Sequence, residues 1–367
     1  MPSYSGGMLT RHSDLLPGRL AAALLVTGAA VVVAACGAAT VPKSASLHGS
    51  GLAKPTVARS ASAAPAPNRA RALLPGSPLP PPATLLPFTP RGPAGQGLWR
   101  GAGRGVRGIR AVYETWLLPR GGSAPAGIGW LDTALLSARL YSGSLSPGGG
   151  PYRFTAPVEP AAARTLVAAF NGGFKMNDAR GGYYTEGRVI DPLRRGAASI
   201  VINKNGNVNI GAWGDALRMT RKVASVRQNL VLLVAHGRPT RAAYGKWRAW
   251  GATCGATSCA ASVPGIEHQW RSGLGVSASG ALVYVLGPGL DPLQLAQLLA
   301  RAGAVRAMQL DINPNWPNFV TYDPGTPGRA APSNGRKLLA RTVQGPATFF
   351  DPRWARDFIT VSVRPAG

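Results

Sequence analysis

The chain has 367 residues, with 48 Gly and 33 Pro, and 40 basic side chains against 14 acidic ones give a formal net charge of +26. That length fits one domain of roughly 200–250 residues with extensions, or two small domains. Of four His, only His236 and His268 lie beyond the N-terminal tract, which excludes a three-histidine zinc centre of the hydrolytic kind.

Arg11, His12 and Arg19 precede an unbroken apolar run over 20–35, followed by Cys36 and Gly37. A basic start, an apolar stretch of this length and small residues at its end predict an export signal over 1–36. The end of the run is similar to a bacterial lipobox with Cys36 as the lipidated residue. An uncleaved membrane anchor and soluble secretion are the alternatives. Each places the remaining chain outside the cytoplasm. The only other cysteines, Cys254 and Cys259, lie close together, and in an exported chain they are expected to form a disulfide closing a short loop.

From 37 to 110 the chain is rich in Ala, Pro, Gly and Ser, with ten Lys or Arg and no acidic residue. This composition predicts a disordered basic tether. Its charge suits anionic lipid or cell-wall polymer, although 33 Arg against 7 Lys equally reflects a composition bias. Gly103-Arg104-Gly105-Val106-Arg107-Gly108 fits the dinucleotide fingerprint letter for letter. Without a preceding strand and a following helix it is read as linker.

A globular pattern is expected over 111–367. Strands are predicted at 112–118, 126–131, 134–141 and 165–170, the last after a short helix over 159–165. Strands at 199–203 and 207–211 are joined through Asn205-Gly206, a hairpin signal. Further strands are expected at 228–235, 274–277 and 282–286, the last two joined at Ser279-Gly280. A helix over 292–302, capped by Asp291 and stopped by Gly303, leads into a strand over 305–310. A strand over 358–363 closes the chain. The class is α+β, a large mixed β-sheet with few helices.

Three segments combine polar side chains with tight backbone. Asn171-Gly172-Gly173-Phe174 places an amide after an apolar strand, where glycines let the backbone approach a ligand, or simply turn. Arg271-Ser272 enters a hairpin strand and offers a guanidinium fork and a hydroxyl. Asp311, at the end of a strand that follows a helix, could be a general base, a metal ligand or a turn residue. A Gly-x-Ser-x-Gly elbow, a P-loop and a His-Glu-x-x-His motif are absent from the sequence.

These three segments together resemble the phosphodiester glycosidase family. The family shows Asn-Gly-Gly-Phe-Phe after a strand, Arg-Ser/Thr before a glycine-flanked strand, and Leu-Asp-Gly-Gly-Gly-Ser after a helix–strand unit. Here they correspond to residues 171–174, to Arg271, Ser272 and Gly275, and to Leu310 and Asp311. The resemblance implies an exported hydrolase that splits a glycosyl phosphodiester, or a related phosphosugar of the cell envelope, at the sugar C1–O bond. In that reading Arg271 holds the phosphate, Asn171 and the Gly172 and Gly173 backbone bind oxygens, and Asp311 is acid/base or ligand to a divalent cation. The alternative is a non-catalytic envelope module binding anionic glycopolymers.

Two departures stand out. Ile312-Asn313-Pro314-Asn315 replaces Gly-Gly-Gly-Ser, and Pro314 removes an amide donor, leaving Asn313 and Asn315 as substitute amides. Lys175 stands at the second aromatic position. From 111 onward 28 basic residues face 13 acidic ones, which suits an anionic glycan or phosphosugar. Nucleic acid is not expected, since a basic helix and an interleaved aromatic platform are both lacking.

Overall fold

In chain order the structure begins with strands β1 (Arg100–Val106), β2 (Ile109–Leu117), β3 (Ala126–Leu131) and β4 (Leu136–Tyr141). Helix α1 (Pro160–Ala163) precedes β5 (Leu166–Asn171), and α2 (Met176–Ala179) precedes β6 (Tyr183–Thr185) and β7 (Arg188–Asp191). Next come β8 (Ala198–Asn203), β9 (Val208–Ala212), β10 (Val223–Gln228), β11 (Leu232–Ala235) and β12 (Arg238–Pro239). The hairpin β13 (Gln269–Ser277) and β14 (Leu282–Leu290) is followed by α3 (Pro292–Arg301) and β15 (Ala304–Gln309). Strands β16 (Phe319–Tyr322), β17 (Gly335–Lys337) and β18 (Phe358–Val363) complete the set. This computed structural model describes residues 77–245, 250–251, 267–325 and 328–365. The export segment, Cys36, and the Cys254–Cys259 pairing lie outside the described residues.

The class is α+β with few helices, as expected, but one large mixed sheet is replaced by three antiparallel ones. An eight-stranded sheet runs β1-β2-β3-β14-β13-β15-β11-β12, and two five-stranded sheets run β7-β6-β10-β8-β9 and β17-β16-β5-β18-β4. The helix–strand unit explains why no parallel pair arises there. Helix α3 carries the chain past β13, so β15 pairs antiparallel with β13 rather than parallel with β14. Asp291 and Gln294 form a reciprocal capping box at the start of that helix, and Pro292 occupies its first turn. Leu295, Ala296, Leu298 and Leu299 then pack on Ile128, Val283, Val285 and Ala307 of the long sheet. Among the described residues no helix is long and apolar enough to cross a membrane.

The central core is shared by all three sheets. Leu274, Tyr284 and Met308 meet Phe170, Phe319 and Ile359, and Tyr183, Ile200 and Ile210 close the third side. Phe170, Tyr284 and Phe319 stack with ring centroids 5.0–5.9 Å apart. This shared core brings strand ends from three sheets to one place, which is where the polar residues collect.

Two expectations fail locally. The stretch 37–110 was assigned to a disordered tether, yet from residue 77 it is part of the fold. Leu79 and Leu85 are buried, Leu79 N donates to Asp132 Oδ2 at 2.8 Å, and residues 100–106 pair with β2. Its glycines allow close approach: Gly103 has φ +66°, and a Cβ there would press on Val167 at 3.1 Å. The fingerprint-like run is therefore a strand and hairpin turn, and no helix follows it. The strand expected over 228–235 is broken at Asn229 and Leu230, the latter at φ +55°. Strands β10 and β11 belong to different sheets, and the break itself carries site residues.

Candidate active site

The carboxyl end of β5 is the fixed point of the site. Asn171 pairs across β5 to both neighbours: its N–H donates to Asn318 O at 3.1 Å, and Gly172 N donates to Asp357 O at 2.9 Å. The Asn171 side chain is fully engaged. Its Nδ2 donates to Ser272 Oγ at 3.0 Å and to Gly172 O at 2.7 Å, while its Oδ1 accepts from Tyr284 Oη at 2.6 Å and from Asn318 N at 3.1 Å. Ser272 in turn reaches the Asp311 backbone, donating from Oγ to Asp311 O and accepting from Asp311 N, both at 3.1 Å. Asn171, Ser272 and Asp311 thus form one buried network spanning two sheets. Its geometry makes Asn171 and Ser272 positioning residues rather than ligand-facing groups.

Asp311 is the carboxylate at its centre. Its Oδ2 accepts from Arg356 Nη2 at 2.7 Å, and its Oδ1 accepts from Asn313 N at 2.9 Å. Side-chain exposure is 3% for Asp311 and 6% for Arg356. Burial pushes the Asp311 carboxyl above its ordinary range, and the Arg356 charge opposes but does not cancel that push. Arg356 also donates to Gly173 O at 2.9 Å, and its guanidinium lies 4.9 Å from the centroid of the Trp316 ring. The next residue, Asp357, pairs with Arg227 Nε at 2.8 Å in a fully buried salt bridge.

The two glycines serve this packing. A Cβ on Gly172 would overlap the Asp357 carboxylate, and one on Gly173 would lie 3.0 Å from Asn229 Oδ1 and 3.1 Å from Arg227 Cζ. The Gly172 N–H, one of the two backbone donors expected to bind ligand oxygens, is taken by Asp357 O. Gly172 N and O and Gly173 O are all bonded within the protein. Asn229, at the break after β10, accepts from Phe174 N and donates to Gln309 O and Leu310 O, so it ties the glycine turn to the strand that carries Asp311.

Arg271 is elsewhere. Successive residues on a strand face opposite sides, so Ser272 turns to Asp311 while Arg271 turns away. The Arg271 guanidinium is wholly buried and donates to Leu290 O at 2.6 Å, Gln309 Oε1 at 2.7 Å and Glu267 O at 3.0 Å. Burial pushes its pKa down to about 10, which leaves it charged near neutrality. The structure does not bring Arg271 to Asp311, and the cation beside Asp311 is Arg356. Asn313 and Asn315 are exposed, and Asn313 Oδ1 accepts from Asn315 N at 3.0 Å. The Asp311 and Asn313 side chains shape the loop with successive turns.

Arg356, Asp357, Arg227 and Asn229 were missed by sequence reasoning. A signal existed for the first two: adjacent opposite charges stand directly before the apolar strand β18, in a chain poor in acids. Among the described residues, no three His, Cys, Asp or Glu side chains come together to hold a metal ion. A cavity of about 520 Å³ lies away from this network, lined by residues such as Ser137, Tyr141, Thr185, Asn203 and Thr360.

Residues 164–311 match the family model of phosphodiester glycosidases. Asn171, Arg271 and Asp311 all fall inside the match, and Arg356 lies beyond it. No curated protein gives a significant match. Among solved structures the chain is similar to the catalytic domain of zebrafish N-acetylglucosamine-1-phosphodiester alpha-N-acetylglucosaminidase, auto-inhibited by its pro-peptide. That likeness has 16% identity over 73% of this chain and 88% of the other, with a TM-score of 0.43. It is also similar to a hypothetical protein from Synechocystis, with 13% identity over 70% and 63% of the two chains and a TM-score of 0.38.

Proposed function

We propose that this chain, whose residues 164–311 match the phosphodiester glycosidase family model, hydrolyses a glycosyl phosphodiester at a centre formed by Asp311 and Arg356. In the reaction, the bond between sugar C1 and the bridging oxygen breaks, and its electron pair leaves with the phosphomonoester. A water oxygen bonds to C1, and its proton passes to ionised Asp311. A carboxylate is a weak base at its ordinary pKa, so burial makes Asp311 a better proton acceptor near neutral pH. Arg356 supplies the fixed positive charge for the departing phosphate, in a buried site where that charge is weakly screened. Asn171, Ser272 and Asn229 hold Asp311 and the glycine turn in register.

The observation that carries this reading is the convergence of three sheets on one buried carboxylate–guanidinium pair, whose carboxylate stands at the end of the family match. The apolar run over 20–35 supports an extracytoplasmic location, with attachment through the N-terminus, and the excess of basic over acidic residues favours an anionic envelope glycan. The direct test is incubation of the protein with a glycosyl phosphodiester in ¹⁸O-labelled water. C1–O cleavage places the label on the sugar; label on phosphate would mean phosphorus–oxygen cleavage and a different reaction. Retention of an anionic glycan by the protein with no hydrolysis of any tested diester would instead support a binding module.

A further inference from the structure

Four of the seven buried side-chain nitrogen and oxygen atoms that lack a hydrogen-bond partner among the described residues belong to three residues of one neighbourhood. They are Asn318 Nδ2 and Oδ1, Trp354 Nε1 and Arg356 Nε. Arg356 lies against the Trp316 ring, whose centroid is 5.4 Å from that of Trp354 in an edge-on arrangement. Asn318 follows Trp316 by two residues, and its backbone holds Asn171 while its side-chain amide finds no partner among the described residues. A buried polar atom left unpaired is costly, so folds retain such atoms chiefly where something outside the chain pairs with them. Asn318 comes just after the loop that follows Asp311, and Trp354 stands two residues before Arg356, the partner of Asp311.

We infer that Trp316, Asn318, Trp354 and Arg356 form a sugar-phosphate subsite beside Asp311. This deepens the hydrolase reading and rests on it for the identity of the reacting bond. The donor–acceptor inventory sets the ligand class. Three donor nitrogens, with four N–H groups between them, and one acceptor, Asn318 Oδ1, match hydroxyls that can both give and accept. A fully ionised phosphate group offers acceptors alone and would leave Asn318 Oδ1 unpaired. The half-exposed Trp316 indole suits the apolar face of a pyranose, and Arg356 suits the anion that the pyranose carries. Trp316 lies over Arg356 in this structure, so a ligand reaches Arg356 Nε–H by displacing that indole and then packing on it.

The experiment titrates the full chain with gluco, galacto and manno hexose 1-phosphates, the parent hexoses and inorganic phosphate. Tryptophan fluorescence and calorimetry are the readouts. At least one hexose 1-phosphate is expected to bind more tightly than inorganic phosphate and to change the emission. Trp354→Phe, which keeps a ring and removes the N–H, should weaken that binding by at least about tenfold. Asn318→Leu, close in shape but apolar, should weaken it similarly and raise the melting temperature, since it removes an unpaired buried amide.

Three results overturn the subsite: no hexose phosphate binds, phosphate alone binds as tightly, or Asn318→Leu lowers the melting temperature with binding unchanged. The last would mean that buried water pairs the amide. Asp311→Asn separates the two readings. Binding that survives it, in a chain that never turns over a diester, keeps the subsite and removes the hydrolase. Turnover that is unchanged in Trp354→Phe and Asn318→Leu keeps the hydrolase and removes the subsite.

Discussion

Two buried arginines of this molecule look alike in sequence and differ in structure. Arg271 meets Leu290 O, Gln309 Oε1 and Glu267 O through all three of its nitrogens, so its charge is spread over fixed partners. Arg356 meets a carboxylate and one carbonyl through a single nitrogen, and keeps Nε unpaired beside an aromatic ring. The first pattern is a strut and the second is a receptor. Burial alone does not separate them; the state of each donor does.

That contrast is open to attack in several ways. The largest effect is expected at Asp311, the partner of Arg356. Asp311→Asn should lower kcat/KM on a glycosyl phosphodiester by about 10²–10⁴-fold, the range for losing a general base. A smaller loss would move the reactive group elsewhere. Arg271→Met tests the strut. It leaves several carbonyl groups buried and unpaired and should reduce stability by roughly 3–5 kcal/mol in a denaturant titration. The KM of the molecules that remain folded should not change, and a raised KM would return Arg271 to the substrate. Gly172→Ala, which drives a methyl group into Asp357, should cost about 1–3 kcal/mol of stability by the same titration. Smallest of all, Asn313→Ala removes an exposed turn hydrogen bond to Asn315 N and should cost no more than about 1 kcal/mol, with kcat/KM unchanged.

Much of the fold was legible because its strongest local signals agree with its tertiary structure. Asp291, Pro292 and Gly303 bracket α3, Asn205-Gly206 and Ser279-Gly280 join hairpins, and β3 and β18 fall at their expected residues. Strand β1 was not legible, since Gly101, Gly103 and Gly105 serve close approach and a bulge rather than apolar alternation. Asp311, Asn171 and the glycine pair were read from their positions after apolar strands. The roles of Arg271 and Arg356 were not readable, because strand alternation decides which way a side chain faces and only assembled sheets show what awaits it there. Trp354 and Asn318 gave no signal at all: an unpaired amide becomes visible only when its neighbours are known.

The most direct measurement is kcat/KM against pH for the unmodified protein and for Arg356→Gln. Asp311 is held above the ordinary carboxylate range by burial, against the lowering influence of Arg356. The account predicts a rising limb at a pH above that range, and a further upward move of the limb when the Arg356 charge is removed. A limb that stays in place in the variant, or moves down, would contradict it.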